Sequence, residues 1–293
     1  MVNKDILLFG ANGQLGQELA YALRTFNLKS FTKSECNLLD FKNVSKILEK
    51  NKNSLVINAS AYTKVDMAEE EYSLANQINA QAVSNLALGC NEHNSILVHF
   101  STDYVFDGQS REPYKEIDLA APKNKYGESK LLGEQYIQSI LKNYYIFRTS
   151  WVYGQYGNNF PKTIIKNLKL KDKLEVVNDQ FGVPTSTGFL SEVTKRFTEK
   201  VNTGDPFPFG IYNVVPHGKC SWFDIANEIL NFYVKEGCFT QKIINPVKSD
   251  KFNFKARRPS YSVLCNDKIA GVLDMKIYKW QKYLKNFLME FES

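Results

Sequence analysis

The sequence has few of the residues that build disulfide frameworks and metal sites. Its 293 residues contain five cysteines, an odd number, and no two cysteines are closer than 18 residues. This spacing argues against a disulfide framework and against a zinc site, and it suits a reducing cytoplasm. With only three histidines, a histidine-rich metal site is disfavoured as well. We therefore predict a cytoplasmic protein and assign no metal ligand.

Long apolar runs and dense runs of one charge are also missing. No apolar run approaches the roughly 20 residues that cross a bilayer. The opening residues MVNKDILLFG lack the longer apolar region and the cleavage site of a signal peptide. The net charge of +6 comes from dispersed lysines, whereas nucleic-acid-binding proteins concentrate Lys and Arg in one patch. We predict neither a membrane nor a nucleic-acid partner. The slight excess of basic residues is compatible with phosphate-bearing ligands.

The first half of the chain alternates short apolar runs with helical patterns. The runs are DILLFG, NLKSFT, SLVINAS, SILVHFS and YYIFRTS, and the helical segments include 14–26, 44–49 and 75–92. Runs without polar alternation are typical of parallel strands that are buried on both faces. The pattern predicts an α/β fold with a doubly wound parallel sheet of the Rossmann type, spanning residues 1–155.

The second half, residues 156–293, is less regular. NNFPKTIIKNLKL and SWFDIANEILNFYVKEG read as helices, and breaker clusters such as TGDPFPFG separate short strands. We predict a smaller, mixed substrate-binding region that covers the carboxyl ends of the sheet strands and leaves a cleft. Strands near 174–178 and 211–215 are predicted to return to the first-half sheet.

A glycine loop follows the first predicted strand. Gly10, Gly13 and Gly16 precede a helix, where glycine permits a tight turn and close approach of the backbone to a pyrophosphate. The N-terminus of the helix favours the phosphate charge. A plain strand-to-helix turn is the alternative, but the strand before and the helix after favour a dinucleotide site.

The adenosine end of the predicted cofactor site has two candidate features. Asp40 lies about two dozen residues beyond the last glycine and could contact the adenosine half. Three residues offer contacts to a 2′-phosphate: Thr32, Lys33 and Ser34. The negative charge of Glu35 would disfavour that phosphate. We predict NADPH or NADH as cofactor, with NADPH accepted either alone or alongside NADH.

Polar and small residues follow the third and fourth predicted strands, where ligands of open α/β sheets lie. Small residues in NASAYTKVD let a cofactor approach the backbone, and FSTDYVFDG presents a cluster of hydroxyl and carboxyl groups. Such a cluster could equally satisfy loop backbone groups. The complete predicted cofactor site is Gly10, Asn12, Gly13, Gln14, Leu15, Gly16, Asp40, Ala59, Ala61, Tyr62 and Ser101.

The segment KYGESK places Tyr126 and Lys130 four residues apart. With 16 tyrosines and 31 lysines in 293 residues, about 1.7 such pairs arise by chance, and the sequence has two. Only Tyr126/Lys130 lies downstream of the strand-end hydroxyls at the start of a predicted helix. There the phenol and the ammonium would share a face, and the cation would lower the tyrosine pKa. The second pair, Tyr278/Lys282, is predicted to be helix surface.

Several motifs together carry a family resemblance. Besides the glycine loop, they are STDYVFDG, YGESK, FRTSWVYG, NNF, DQFGVPT and ARRP. In this order, from Ile6 to about Asn266, the chain resembles the extended short-chain dehydrogenase/reductases and, within them, the dTDP-4-dehydrorhamnose reductases. The resemblance implies NAD(P)H-dependent reduction of a 4-keto-6-deoxy sugar nucleotide, and most closely of dTDP-4-dehydro-L-rhamnose to dTDP-L-rhamnose.

The resemblance also implies residue roles. Tyr126 would protonate the C4 oxygen, Lys130 would hold the nicotinamide ribose and tune Tyr126, and Thr102 would hydrogen-bond the reacting oxygen. An arginine fork at Arg258 suits a diphosphate, although ARRP also reads as a basic surface loop. The implied substrate-binding residues are Asp103, Tyr104, Trp151, Asn159, Gln180, Thr185 and Arg258.

Alternatives within the same superfamily remain open. Sugar-nucleotide dehydratases carry an Asp-Glu pair after the threonine, where this chain has Asp103-Tyr104, so a dehydratase or an epimerase with tightly held NAD is disfavoured. A non-catalytic regulatory subunit is disfavoured by the complete set of Thr102, Tyr126 and Lys130. The resemblance is compatible with a homodimer. Some relatives bind magnesium where two subunits meet; Glu18 matches one such position, but TSTGFLSE does not match another.

Overall fold

A parallel sheet forms the centre of the computed structural model, which describes residues 4–205 and 207–291. Residues 1–3, 206 and 292–293 of the two predicted regions lie outside the described residues. The strands in chain order are β1 Ile6–Phe9, β2 Leu28–Phe31, β3 Leu55–Asn58, β4 Ile96–Thr102, β5 Tyr144–Thr149, β6 Val152–Tyr153, β7 Lys173–Val177, β8 Phe181–Gly182, β9 Thr185–Ser186, β10 Gly210–Asn213, β11 Cys220–Ser221 and β12 Ile243–Val247.

Six of these strands build the central sheet in the order β10-β5-β4-β3-β1-β2. Every neighbouring pair is parallel. Strands β1 and β3 are buried along their full length, as their unbroken apolar sequences require. The predicted doubly wound α/β fold of the Rossmann type is therefore confirmed.

Helices cover both faces of the sheet. They are α1 Gln14–Ala22, α2 Phe41–Glu49, α3 Tyr72–Asn76, α4 Ala82–Glu92, α5 Lys125–Ile140, α6 Phe160–Leu170, α7 Thr187–Thr203, α8 Trp222–Lys235, α9 Asp267–Leu273 and α10 Trp280–Phe291. A π-helical turn, Gln77–Gln81, joins α3 to α4. One face of the sheet packs on α1 and α7 and the other on α2 and α4, each through its own apolar cluster.

The later strands β10 and β7 join different sheets. β10 joins the edge of the central sheet beside β5, whereas β7 pairs with β12 in a separate two-stranded sheet. The prediction that 174–178 returns to the central sheet is therefore wrong. Its sequence KLEVV exposes Lys173 and Glu175 and buries Leu174 and Val176, a one-sided pattern that does not suit a strand with both faces covered.

A third apolar cluster joins α6, α8 and α10 of the second half to Val105 and Phe106, which follow the end of β4. In the part of the chain that the structure describes, no helix combines the length and apolar character needed to cross a membrane. Tyr278 precedes α10, so only Lys282 of the second Tyr-Lys pair is helical; its ammonium lies 3.1 Å from the centre of the Tyr278 ring.

Candidate active site

A cavity of about 800 Å³ opens at the carboxyl ends of β1, β3, β4 and β5, with Trp222 and Arg258 of the second half on its far side. Most of the predicted site residues line it. They are Gly10, Asn12, Gly13, Gln14, Leu15, Ala59, Ala61, Ser101, Thr102, Asp103, Tyr104, Tyr126, Lys130, Trp151 and Arg258. The structure thus brings the three predicted catalytic residues and the glycine loop to one cavity.

The glycine loop has the shape of a phosphate cradle. Gly10 has a φ of +80°, and a Cβ there would lie 2.6 Å from the Ser60 nitrogen. A Cβ on Gly16 would collide with the Gly10 carbonyl oxygen, so Gly16 permits close packing without lining the cavity. Gly13 caps α1 without any side-chain bond, which leaves the first N–H groups of the helix available to an anion. These residues fit a dinucleotide diphosphate.

In the segment after β2, Glu35 is held in place by hydrogen bonds from Thr32. The Glu35 carboxylate accepts hydrogen bonds from the Thr32 N–H at 2.8 Å and from the Thr32 hydroxyl at 2.7 Å. These bonds lower the pKa of Glu35. Lys33 lines the cavity. Asp40 is exposed and caps α2 by accepting from the Asn43 N–H, so the structure places it outside the cavity.

Tyr126 stands in the first turn of α5, which begins where the Asn124 side chain accepts from the Gly127 N–H. Its ring packs edge-on against Tyr104, with 5.8 Å between the centroids. Burial raises the pKa of Tyr126 to about 12; a hydrogen bond with Thr102 acts in the opposite direction, and the Asp103 charge raises it. The net direction in the structure is thus upward, whereas the sequence predicts a lowering by Lys130 together with the nicotinamide ring, and Tyr126 keeps its proton at neutral pH.

Lys130 points into the sheet rather than at the tyrosine. Its ammonium nitrogen donates to the Phe100 carbonyl at 2.6 Å and lies 3.1 Å from Nε2 of His99. Burial lowers the pKa of Lys130 to about 8, and Glu134 raises it. Lys130 is therefore a group whose charge titrates close to neutral pH.

A buried ion pair supports this wall of the cavity. Arg148 on β5 donates from Nε to Oε1 of Glu134 at 3.0 Å and from Nη2 to Oε2 at 2.7 Å. Ser101 donates its hydroxyl to the same Glu134 Oε1. Both charged side chains are almost fully buried. The ion pair joins β5 to helix α5, and the Ser101 hydroxyl joins the end of β4 to the same carboxylate.

Thr102 and Asp103 form the turn between β4 and the cavity. The Tyr104 N–H donates to the Thr102 hydroxyl oxygen at 3.2 Å, and that hydroxyl lies 3.1 Å from Oδ1 of Asp103. Burial raises the pKa of Asp103 to about 7, while the Ser262 and Thr102 hydroxyls act against it. Burial also raises the pKa of Tyr104. Asp103 is thus only partly ionised at neutral pH, and Tyr104 stays neutral.

Trp151 and Arg258, two of the predicted substrate-binding residues, line the cavity. Trp151 has a φ of +47°, a costly conformation for a bulky residue. Its ring stacks on Trp222 at 3.8 Å, and a Cβ on Gly182 would come within 2.6 Å of it. Arg258 donates to Oδ2 of Asp66 at 2.6 Å and is only partly exposed, so it belongs to a fixed ion pair rather than to a free basic loop.

The remaining predicted residues lie behind the cavity wall. Asn159 caps α6, Gln180 accepts from the Trp222 indole at 3.2 Å, and the Thr185 hydroxyl donates to the Val183 carbonyl. Tyr62 donates its hydroxyl to Glu71 at 2.7 Å. The hydrogen bonds of these residues go to neighbouring protein groups, and none of the four lines the cavity. His99, Glu134 and Trp222 were missed, since no local motif marks them.

Glu18 lies on α1 facing Thr187, whose hydroxyl donates to it at 3.2 Å. Burial raises the pKa of Glu18, the Thr187 bond lowers it and Glu290 raises it. Among residues 4–205 and 207–291, no group of three or more His, Cys, Asp or Glu side chains could hold a metal ion.

The parallel sheet, the glycine loop and the cavity wall with Thr102, Tyr126 and Lys130 define a nicotinamide-cofactor oxidoreductase of the short-chain dehydrogenase/reductase class. The family model described as "RmlD substrate binding domain" matches residues 4–293. The chain belongs to this family, that of the dTDP-4-dehydrorhamnose reductases. The predicted resemblance is confirmed.

Three relatives illustrate the family. The dTDP-4-dehydrorhamnose reductase of Escherichia coli strain K12 is 37% identical over 292 residues, covering 98% of this chain and 97% of the relative. The crystal structure of the Bacillus anthracis strain Ames enzyme in complex with NADP is 34% identical, with a TM-score of 0.89 and coverage of 98% and 99%. The dTDP-4-keto-6-deoxy-D-glucose reductase of Streptomyces niveus is 32% identical and covers 89% and 88%.

Proposed function

We propose that this protein reduces the C4 keto group of a 4-keto-6-deoxy sugar nucleotide with NAD(P)H. The specific reaction that we favour converts dTDP-4-dehydro-L-rhamnose to dTDP-L-rhamnose. One observation carries the proposal: Thr102, Tyr126 and Lys130 share a cavity with the glycine loop. An acid, an orienting hydroxyl and a cofactor cradle on one cavity wall are the parts that carbonyl reduction needs.

The chain contributes proton transfer and positioning. When bound, NAD(P)H supplies the hydride that reaches C4. The Tyr126 phenol gives its proton to the C4 oxygen, and its raised pKa of about 12 keeps that proton in place at neutral pH. Thr102 orients the same oxygen from the end of β4. Lys130 holds the nicotinamide ribose, and the loop from Gly10 to Gly16 receives the diphosphate.

A substrate panel tests the proposal. Loss of reduced-cofactor absorbance is followed with dTDP-, UDP- and GDP-linked 4-keto-6-deoxyhexoses. We expect the largest kcat/KM with a dTDP sugar, because the dTDP-4-dehydrorhamnose reductases are named for that nucleotide. Absence of turnover with every member of the panel would remove the reductase assignment and favour a non-catalytic subunit.

Two further activities from the same superfamily give a different result in this assay, because neither consumes reduced cofactor. A dehydratase or an epimerase holds its NAD tightly and shows no net consumption of NAD(P)H. Tyr104 occupies the position of the second dehydratase carboxylate, and its ring packs against Tyr126. A phenol with a raised pKa cannot replace the carboxylate as a base. The site therefore favours reduction over elimination.

Lys33 is expected to set the choice between the two cofactors. Replacement of Lys33 by Ala should raise the KM for NADPH about tenfold and leave the KM for NADH unchanged, because a charge-assisted bond to the 2′-phosphate is lost. Lys29→Ala is the matched control: Lys29 lies on β2 and pairs with Asp5. Equal changes for both cofactors, or a strong preference of the parent for NADH, would contradict the 2′-phosphate assignment.

Trp151 is expected to act on the sugar nucleotide rather than on the cofactor. Trp151→Ala should raise the KM for the substrate about tenfold, because a stacked aromatic wall contributes roughly 1–2 kcal/mol to binding. Cofactor affinity, measured by fluorescence titration, should change little. If the variant loses cofactor affinity and retains its substrate KM, Trp151 belongs to the cofactor half of the cavity.

The assembly and location of the protein are proposals as well. A homodimer is compatible with the family resemblance, and analytical ultracentrifugation of the purified chain would measure it. A cytoplasmic location is supported by the five cysteines, all of which are free thiols in the structure.

A further inference from the structure

Lys130 ends a row of buried polar side chains that crosses the sheet. Asn58 on β3 and His99 on β4 are register partners on neighbouring parallel strands. Nδ2 of Asn58 lies 3.1 Å from Nδ1 of His99, and Nε2 of His99 lies 3.1 Å from Nζ of Lys130. All three side chains are at most 1% exposed, so each must find its hydrogen-bond partners within the protein.

The direction of this row is fixed at its start by Ser60. The Ser60 backbone N–H donates to Oδ1 of Asn58 at 3.0 Å, and its hydroxyl donates to the same oxygen at 2.6 Å. A backbone N–H can only donate, so the amide oxygen must face Ser60 and the NH₂ group must face His99. Since an amide NH₂ group only donates, Nδ1 of His99 must be the bare acceptor.

The proton of His99 therefore resides on Nε2. Burial and the charge of Lys130 hold the pKa of His99 well below its usual value, so the ring is neutral and carries one N–H. That N–H points at Nζ of Lys130. An ammonium has three donors and no acceptor, whereas an amine can accept this bond and still donate to the Phe100 carbonyl at 2.6 Å.

We propose that Asn58 and His99 are positioning residues for Lys130: together they form a chain of donors that favours its neutral amine over its ammonium. The pair thereby sets the pH at which the enzyme loses the charge of Lys130. In the part of the chain that the structure describes, the charge that acts on Lys130 is that of Glu134, one turn further along α5. Glu134 favours the ammonium, but its carboxylate is already engaged by Arg148. The protonation states of His99 and Lys130 do not depend on the function proposed above; only the effect of Lys130 on kcat rests on that function.

The tautomer of His99 can be observed directly in the unmodified chain. Nitrogen-15 NMR of histidine-labelled protein has three imidazoles to resolve, and His93→Gln and His217→Gln assign the other two. We expect His99 to be neutral and protonated on Nε2 throughout the range from about pH 5 to 9. A proton on Nδ1, or an imidazolium signal, would overturn the proposal. This measurement needs no substrate, so its failure is distinguishable from failure of the proposed reaction.

The Asn58→Asp variant should reverse the direction of the hydrogen bonds in this row, while the shape of the side chain at position 58 stays nearly the same. The carboxylate still accepts from Ser60 but cannot donate, so Nδ1 of His99 takes the proton and Nε2 becomes an acceptor for the Lys130 ammonium. The alkaline limb of kcat, expected near pH 8 from the lowered pKa of Lys130, should move upward by about one pH unit or more.

A double variant separates the imidazole from the added charge. His99→Phe and Asn58→Asp/His99→Phe are compared in the same pH profile, together with Asn58→Asp and the parent. We expect the aspartate to shift the alkaline limb much less when the imidazole is absent, because the effect passes through the ring. An equal shift with and without His99 would make it a plain charge effect and overturn the donor chain.

Discussion

The Tyr126→Phe variant should lose about 10²- to 10⁴-fold in kcat, the usual contribution of a positioned general acid. The ring remains, so its packing against Tyr104 is preserved and affinity for the cofactor should change by less than about twofold. Only the proton donor to the C4 oxygen is removed. Steady-state assays of reduced-cofactor absorbance give kcat, and fluorescence titration gives the cofactor dissociation constant.

The second Tyr-Lys pair supplies the matched control. Tyr278→Phe removes a hydroxyl from a surface tyrosine that lies before α10 and under the Lys282 ammonium. Its kcat should equal that of the parent. Similar losses in the two variants would mean that Tyr126 is not the acid. A loss in Tyr126→Phe that is accompanied by weak cofactor binding would point to a role in the binding site instead.

The Arg148→Met variant should lose about 3–5 kcal/mol of unfolding free energy, the usual cost of leaving one member of a buried ion pair without its partner. Glu134 is fully buried, and Arg148 supplies two of its hydrogen bonds. Without them, a fully buried carboxylate keeps the Ser101 hydroxyl as its one remaining donor among the described residues. Urea unfolding followed by tryptophan fluorescence measures the loss.

An exposed pair of similar composition is the control for Arg148. Arg196 and Glu192 lie one turn apart on α7, and each side chain is nearly half exposed. Arg196→Met should therefore change stability by less than about 1 kcal/mol. The double variant Arg148→Met/Glu134→Leu should recover part of the loss, because it removes the unpaired charge. A single-variant loss no larger than that of Arg196→Met would show that the buried pair does not stabilise the fold.

Two expectations from the sequence have a common origin. Strand 174–178 was predicted to join the central sheet on its apolar residues alone, although its alternating lysine and glutamate indicate a strand with one exposed face. Asp40 was predicted to contact the adenosine half from its distance to the glycine loop; in the structure it caps α2 and does not line the cavity, so this contact stays a prediction. Both expectations rested on position along the chain, whereas the surroundings of a segment decide what it contacts.

The electrostatics of the catalytic pair were also beyond the sequence. Spacing on a helix predicts that Tyr126 and Lys130 share a face, and they do line one cavity. It cannot predict that Lys130 turns towards Phe100 and His99, or that burial raises one pKa and lowers the other. Desolvation depends on every element packed around a group, and those elements come from distant parts of the chain.

The sequence by itself determined the class of fold, the glycine loop and the three residues of the predicted chemistry. These features are local: a buried strand, a tight turn and a helical spacing are each encoded by neighbouring residues. Only the tertiary structure decided which polar residues reach the cavity and which support it from behind. It also paired Glu134 with Arg148 and His99 with Asn58. These contacts join residues 14 to 41 positions apart, because parallel strands become neighbours only after the intervening helices have packed.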